Sequence, residues 1–383
     1  MIKSAYLHIP FCEHICHYCD FNKVFLQGQP VDEYLQMMKR EMVMQLSKYP
    51  TAGLETVFVG GGTPTSLDEK QLAFLCEAIN ETLPFDPKKA EYTFEANPGD
   101  LSREKLKILY DSGVNRLSFG VQSFNDELLK RIGRTHRASE VYETIHLAQE
   151  VGFTNISIDL IYGLPGQTME DFKDTLDKAI ALQLPHYSSY SLIVEPKTVF
   201  YNQMRRGKLN LPPQELEASM YERLMEEMEK HGLDQYEISN FARAGFESRH
   251  NLTYWDNVEY YGIGAGAHGY TGGKRVANHG PVKKYITPLL SNELPVLEEH
   301  PVPLHERMEE EMFLGLRKTQ GVSLEIFKNK FFVEMTEIFR KPLEEGSAKG
   351  LLKVEGGFVR LTERGKLLGN EVFQTFLGVI DSD

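Results

Sequence analysis

Over roughly the first two hundred residues the chain alternates short β-branched or aromatic runs with longer amphipathic ones, and few architectures accept that pattern. Strands are expected near residues 5–9, 55–59, 92–95, 116–121, 156–161 and 187–193. Helical periodicity falls between them, near 31–47, 68–83, 103–111, 138–151 and 169–181. Ser66-Leu67-Asp68-Glu69 and Ser102-Arg103-Glu104-Lys105 offer serine caps with glutamate in the first turn. Six βα units in series imply an α/β fold with a parallel sheet, a partial (β/α)6 barrel of the TIM-like kind. In such barrels the active site is built at the C-terminal strand ends, and here each expected strand runs into a polar or glycine-rich turn.

The first of those turns holds three of the chain's four cysteines, Cys12, Cys16 and Cys19. Thiolates suit zinc or iron–sulfur clusters, and a closed structural site normally takes a fourth protein ligand. No fourth cysteine is near. Three cysteines on a four-iron cluster leave one iron open for a small molecule, and the C-x3-C-x2-C spacing resembles the cluster motif of radical S-adenosylmethionine (SAM) enzymes. A Cys3His zinc site completed by His8, His14 or His17 is the competing reading, and a reduced thiol group without metal is the third. Cys76 lies in a helical apolar pattern, so it is read as a core residue.

Composition narrows the function classes. The chain has 383 residues, 41% of them hydrophobic, enough for a large domain plus a smaller one. A net charge of −13 argues against a broad nucleic-acid surface. The sequence enters its first strand with no signal-peptide pattern, and no apolar run approaches the ~20 residues that span a bilayer. Few, clustered cysteines fit a reducing compartment, so a cytoplasmic location is expected.

Beyond about residue 205 the alternation stops. A charged helix is expected near 213–231, followed by a glycine- and aromatic-rich tract from His250 to Tyr270. Prolines around 295 and 301–303 suggest a linker. The tail reads as helices, a small β element near 351–361 and a last helix over 362–376, together a compact winged-helix-like domain. The expected division is 1–205 for the partial barrel, 206–295 for an extension, and 296–383 for the smaller, mainly α C-terminal domain.

The ordered set Tyr6-Leu7-His8-Ile9-Pro10-Phe11-Cys12, Gly60-Gly61-Gly62-Thr63-Pro64, Phe94-Glu95-Ala96-Asn97-Pro98, Gly120-Val121-Gln122-Ser123-Phe124 and Asp159-Leu160-Ile161-Tyr162-Gly163-Leu164-Pro165 resembles the family of oxygen-independent coproporphyrinogen III oxidases, in the radical SAM superfamily. The resemblance covers essentially the whole chain. Two details are similar to a branch of that family described as heme chaperones. Phe21 stands where the oxidases carry a further cysteine, and His250-Asn251-Leu252-Thr253-Tyr254-Trp255 matches an HNxxYW motif that contains the chain's one tryptophan.

The resemblance implies that Cys12, Cys16 and Cys19 hold a [4Fe–4S] cluster whose open iron chelates the amino and carboxylate groups of SAM. Gly61, Gly62 and Thr63 would allow close backbone approach to the methionine end, and Arg134 would fork its carboxylate. Glu95, Gln122 and Asp159 would serve amino and ribose hydroxyl groups, and Tyr6 the adenosyl group. His250 would ligate heme, Tyr254 and Trp255 giving flat apolar contact, with a flexible Gly262–Gly269 tract opening to admit it and His268 as a competing ligand. Three functions stay open on this basis: a heme chaperone delivering heme to acceptor hemoproteins, membrane-associated respiratory proteins among them; a coproporphyrinogen oxidase; and another radical enzyme acting on a tetrapyrrole. None involves nucleic acid or a membrane span.

Overall fold

The structure is a computed structural model that describes residues 1–380. Six parallel strands follow one another in chain order: β1 Ser4–Ile9, β2 Thr56–Gly61, β3 Glu91–Ala96, β4 Arg116–Gln122, β5 Ile156–Tyr162 and β6 His186–Ser191. Each pairs in parallel with the next. These are the expected strands, displaced by no more than two residues at any end. The crossover helices include Val31–Lys48, Glu69–Thr82, Arg103–Asp111, Ala138–Val151 and Met169–Ala181. Their apolar faces carry Leu72, Leu106, Val141 and Phe172 onto the outer face of the sheet, in one continuous core with Val57, Phe94 and Ile158. Burial on both sides is what parallel strands linked by helices require.

Helix starts follow local chemistry, with one correction. Ser102 caps its helix as expected, accepting from the Lys105 amide. Ser66 does not cap the helix that follows it. Its hydroxyl donates to the Thr63 carbonyl at 2.7 Å and closes the short 3₁₀ turn Pro64–Ser66. Asp68 takes the capping role instead, forming a reciprocal capping box with Gln71.

The sheet continues past the six expected strands at both ends. Tyr260–Ile263 adds to β1 in parallel, with Ala5 opposite Tyr261. His268–Thr271, Lys274–Asn278 and Val296–Pro301 follow in antiparallel order. Beyond β6 lie Asn240–Ala242 and Asp234–Glu237, also antiparallel. The result is one open twelve-stranded sheet, a partial barrel. Residues 296–301, expected in a linker, are an edge strand. The tail has a separate core around Met312, Phe327, Phe339 and Phe376, with a three-stranded sheet of Val322–Ser323, Leu352–Glu355 and Phe358–Leu361. Its last helical stretch is broken into Glu363–Leu367 and Gly369–Gln374.

The glycine tract after the HNxxYW segment is held, not loose. Gly264 N donates to Glu41 at 2.8 Å, Ala265 N donates to the Tyr34 hydroxyl at 2.9 Å, and Asn22 Nδ2 donates to the carbonyls of Ala265 and Gly280. At Gly262 a Cβ would stand 2.0 Å from the His268 carbonyl oxygen, so the glycine serves close backbone approach. The loose conformation expected of this tract is not what the structure shows, since its backbone is tied to Glu41, Tyr34 and Asn22.

Glu41 is the buried anchor of that arrangement, and also accepts from Asn278 at 2.7 Å and Tyr285 at 2.5 Å. Burial pushes its carboxyl up to about 7, against the hydrogen bonds that favour the ionised form. The folded state thus keeps a proton that the unfolded chain releases near pH 4.5, so stability falls as pH rises from there through about 7. Urea unfolding between about pH 5 and pH 8 should show wild type losing about 2.5 kcal/mol more than Glu41→Gln. Equal losses would show that this carboxyl is not buried in its protonated form.

Candidate functional site

The C-terminal ends of β1 to β6 surround a cavity of about 430 Å³, within the range of small-molecule sites. Its lining brings together Cys12, Cys16, Cys19, Gly61, Gly62, Thr63, Glu95, Gln122, Arg134 and Asp159. These positions span almost 150 residues of sequence, and they meet because they lie in the C-terminal halves of neighbouring parallel strands or in the segments that follow them.

The cysteine loop is fixed at several points. Phe11–Cys12 pairs in parallel with Val24–Phe25, the His17 amide donates to the Ile132 carbonyl at 2.9 Å, and the Cys19 amide donates to the Cys16 carbonyl. Lys23 Nζ donates to the Cys19 carbonyl. Burial pushes the Cys12 thiol up to about 11 and raises that of Cys19, which Lys23 partly offsets. Such thiols ionise on metal binding, which releases their protons. Thr63 Oγ1 donates to Cys12 Sγ at 3.7 Å, and Arg134 Nη1 to Cys16 Sγ at 3.6 Å.

Gly62 explains itself by space, since a Cβ there would stand 2.9 Å from Cys12 Sγ and 2.8 Å from the Phe11 carbonyl oxygen. Gly61 has φ +115, and its amide donates to Glu95 Oε2 at 2.9 Å. Gln122 is a non-glycine residue at φ +65, beside a register irregularity that skips Val121 in the β4–β5 pairing. A bulge followed by a left-handed residue at a strand end re-aims a side chain at a cost, and such features cluster at functional sites. Burial pushes Glu95 up to about 7, with Asp159 adding to the rise and the Gly61 amide opposing it. Burial also raises Asp159, against hydrogen bonds from Ser188 and Ser118.

Two expected members lie elsewhere. Tyr6 does not line the cavity; its hydroxyl pairs with His8 Nδ1 at 2.9 Å, and its ring lies 6.1 Å from Phe58. His250 is at the opposite end of the barrel. The helix Arg249–Trp255 closes the N-terminal strand ends, where Glu91 accepts from the Arg249 and His250 amides at 3.0 and 2.9 Å, and Thr253 pairs with Ser4. His250 Nδ1 pairs with Thr56 Oγ1 at 2.7 Å, Nε2 pairs with the Tyr254 hydroxyl at 2.8 Å, and the ring stacks on Phe58. Burial holds its imidazole down at about 3. Both ring nitrogens are engaged, so the axial-ligand expectation for His250 is corrected: it is a hydrogen-bonded core residue. Trp255 packs under Arg317 of the tail, which also lies over Phe373.

Asn97 and Tyr18 line the cavity without having been assigned from sequence. Asn97 was visible as an Asn-Pro step ending a strand, and Tyr18 lies inside the cysteine run, but neither residue type signals a ligand contact on its own.

The donor set suits a cluster with an open iron. Among the described residues, no three His, Cys, Asp or Glu converge closely enough for a single metal ion, whereas thiolates of a four-iron cluster bind separate irons. One histidine of the zinc reading has both ring nitrogens engaged: His8 pairs through Nδ1 with the Tyr6 hydroxyl and through Nε2 with the Asn22 carbonyl, whereas His17 uses only Nδ1, toward the Arg131 carbonyl. Arg134 Nε is buried with no partner, which leaves a guanidinium donor for an anionic ligand beside the cysteines.

Comparison with known proteins agrees with this cavity. A family model described as the radical SAM superfamily matches residues 6–179, and one described as the HemN C-terminal domain matches 302–368. The solved coproporphyrinogen III oxidase (HemN) of Escherichia coli superposes with a TM-score of 0.86 over 99% of this chain and 91% of that one, at 24% identity, which is a likeness of fold. Barrel, cysteine loop and tail together are those of a radical SAM protein. Over 98% of its length the chain is 56% identical to the heme chaperone HemW of Bacillus subtilis, covering all of that protein. It is 48% identical to the heme chaperone HemW of Lactococcus lactis over 98% of this chain and 97% of that one. The chain belongs to the HemW family of radical SAM heme chaperones.

Proposed function

We propose that this protein binds heme and delivers it to acceptor hemoproteins, and that Cys12, Cys16 and Cys19 hold a [4Fe–4S] cluster with SAM beside it. The observation that carries the reading is 56% identity over nearly the full length to a protein named a heme chaperone, combined with a cavity that gathers three cysteines and the Arg134 guanidinium. When bound, such a cluster supplies an electron to the sulfonium of SAM. The chain's own residues bind and orient. Gly61 and Gly62 let the backbone approach, Arg134 takes the carboxylate, and Glu95, Gln122 and Asp159 offer polar partners to amino and hydroxyl groups. Arg134→Ala should weaken SAM binding by roughly 1.5–3 kcal/mol, the range for hydrogen bonds to charged groups. Unchanged affinity by calorimetry would place Arg134 outside the site.

A flat apolar cargo would find apolar surface in this cavity, since Phe21, Tyr190 and Ile193 all line it and are 60%, 41% and 62% exposed. The same proposal includes a cytoplasmic location and membrane-associated hemoproteins among the acceptors. No helix among the described residues is long and apolar enough to cross a membrane. In the division expected from sequence, residues 1–205 would serve the cofactors, 206–295 would extend the sheet, and the tail beyond would brace it through Arg317.

The test is paired. Reconstituted protein should bind about one heme per chain and pass it to an apo-hemoprotein, and it should not convert coproporphyrinogen III to protoporphyrinogen IX under anaerobic reducing conditions with SAM. Phe21 offers no thiol where the oxidases carry one. Sustained turnover would restore the oxidase reading.

A further inference from the structure

We propose that Asn97 is a positioning residue that sets, through one amide, the hydrogen bonds to two of the three cavity cysteines. The inference rests on the reading that those cysteines hold a cluster, and extends it to a residue whose part is otherwise unassigned. Asn97 follows β3 directly and precedes Pro98, a position that disfavours the helical region.

The orientation of its amide is settled by its neighbours. Arg134 is a donor only, so the atom that receives Arg134 Nη2 at 2.7 Å must be the oxygen, Oδ1. Nδ2 then faces Thr63 Oγ1 at 3.1 Å and Asp100 Oδ2 at 3.0 Å, both able to accept. With its oxygen lone pair occupied by Asn97, the Thr63 hydroxyl directs its own proton to Cys12 Sγ. The other branch of the Arg134 fork reaches Cys16 Sγ, while Nη2 is also held by the Gly120 carbonyl. One side chain therefore aims a hydroxyl at Cys12 and a guanidinium at Cys16. A Cβ on Gly120 would stand 3.1 Å from that guanidinium and 2.9 Å from the Gln122 amide, so the space around the fork is fully used.

Two consequences follow. Hydrogen bonds to cysteine sulfur are one of the determinants of cluster potential, because they stabilise the more negative reduced state. Arg134 also lines the cavity, so the aim of its guanidinium governs how an anionic group of SAM is met.

The experiment uses the full chain, reconstituted anaerobically, with iron content, midpoint potential and the SAM-induced change in the electron paramagnetic resonance of the reduced cluster as readouts. Asn97→Ala should keep its iron, since all three cysteines remain, yet show a more negative potential and need roughly tenfold more SAM for the spectral change, the scale seen when partners of cluster or metal ligands are removed. Asn97→Asp keeps an acceptor for Arg134 and loses the donor to both Thr63 and Asp100, so it is read beside Asp100→Asn, which removes the facing carboxylate. Asn97→Asp should recover much of the SAM response while its potential stays low, and it carries the test if the alanine variant does not fold. Wild-type potential and wild-type SAM response in Asn97→Asp, and in Asn97→Ala if it folds, would overturn the proposal. Wild-type protein that takes up no cluster would instead remove the reading beneath it.

Discussion

Anaerobically reconstituted Cys16→Ala protein should return without its cluster, against about four irons per wild-type chain, while the fold persists. Two cysteines do not retain a cluster whose third protein bond is gone, so the loss should be near complete and visible as the disappearance of the broad thiolate-to-iron absorbance. The fold persists because Cys16 is only half-buried and its loop is held by other groups. The His17 amide bonds to the Ile132 carbonyl, the Leu26 amide to the Cys12 carbonyl, and the Asn22 side chain to Ala265 and Gly280. Cys76→Ala is the control. Cys76 is fully buried in the helix Glu69–Thr82, among the residues of the main core. Its replacement should cost about 1–2 kcal/mol of stability by leaving a small void and should leave iron content unchanged. Iron and zinc are measured on the same samples, and stoichiometric zinc in wild-type protein, or iron retained in Cys16→Ala, would count against the cluster assignment.

His250→Ala should act on stability instead of ligand binding. The substitution removes two buried hydrogen bonds, leaves the Thr56 and Tyr254 hydroxyls short of a partner, and empties the space stacked on Phe58. Lost buried polar pairs and a ring-sized void together cost about 3–5 kcal/mol. The helix Arg249–Trp255 has only seven residues and depends on tertiary contacts, since so short a helix is marginal alone. Glu91 and Ser248 would keep its N-terminus tied, so local loosening of the barrel floor is expected before global unfolding. Heme affinity and the Soret band should stay near wild type in protein that remains folded. His268 starts the strand that follows the cavity end of Tyr260–Ile263, and it is exposed. His268→Ala is where a change in the Soret band is expected if a histidine on this face ligates heme. A Soret shift in folded His250→Ala would show that the floor helix opens to release the imidazole.

Those two residues mark the boundary between what was legible in sequence and what was not. The cysteine triad was legible because ligand type and spacing within one loop are local. The six strands and their helices were legible because strand and helix periods, and caps such as Ser102, are properties of neighbouring residues. Ser66 shows the first limit. A serine ahead of a helix can cap it or close the turn before it, and the choice depended on where the Thr63 and Phe11 carbonyls lay. His250 shows the second, since histidine followed by tyrosine and tryptophan reads the same for a metal ligand and for a polar core residue.

The sequence by itself determined the βα series, the cysteine loop and the set of strand-end residues that would face a ligand, because parallel connectivity sends every such end to one side. Only the tertiary structure decided that Tyr260–Ile263 pairs with β1, that 296–301 is an edge strand, and that the HNxxYW helix lies beneath the barrel with no imidazole nitrogen free. It also decided that Asn97 joins Thr63 to Arg134. Each of these depends on which distant groups satisfy a buried donor or acceptor. Hydrogen-bond satisfaction is imposed on the whole folded molecule at once, and no local pattern specifies the partner.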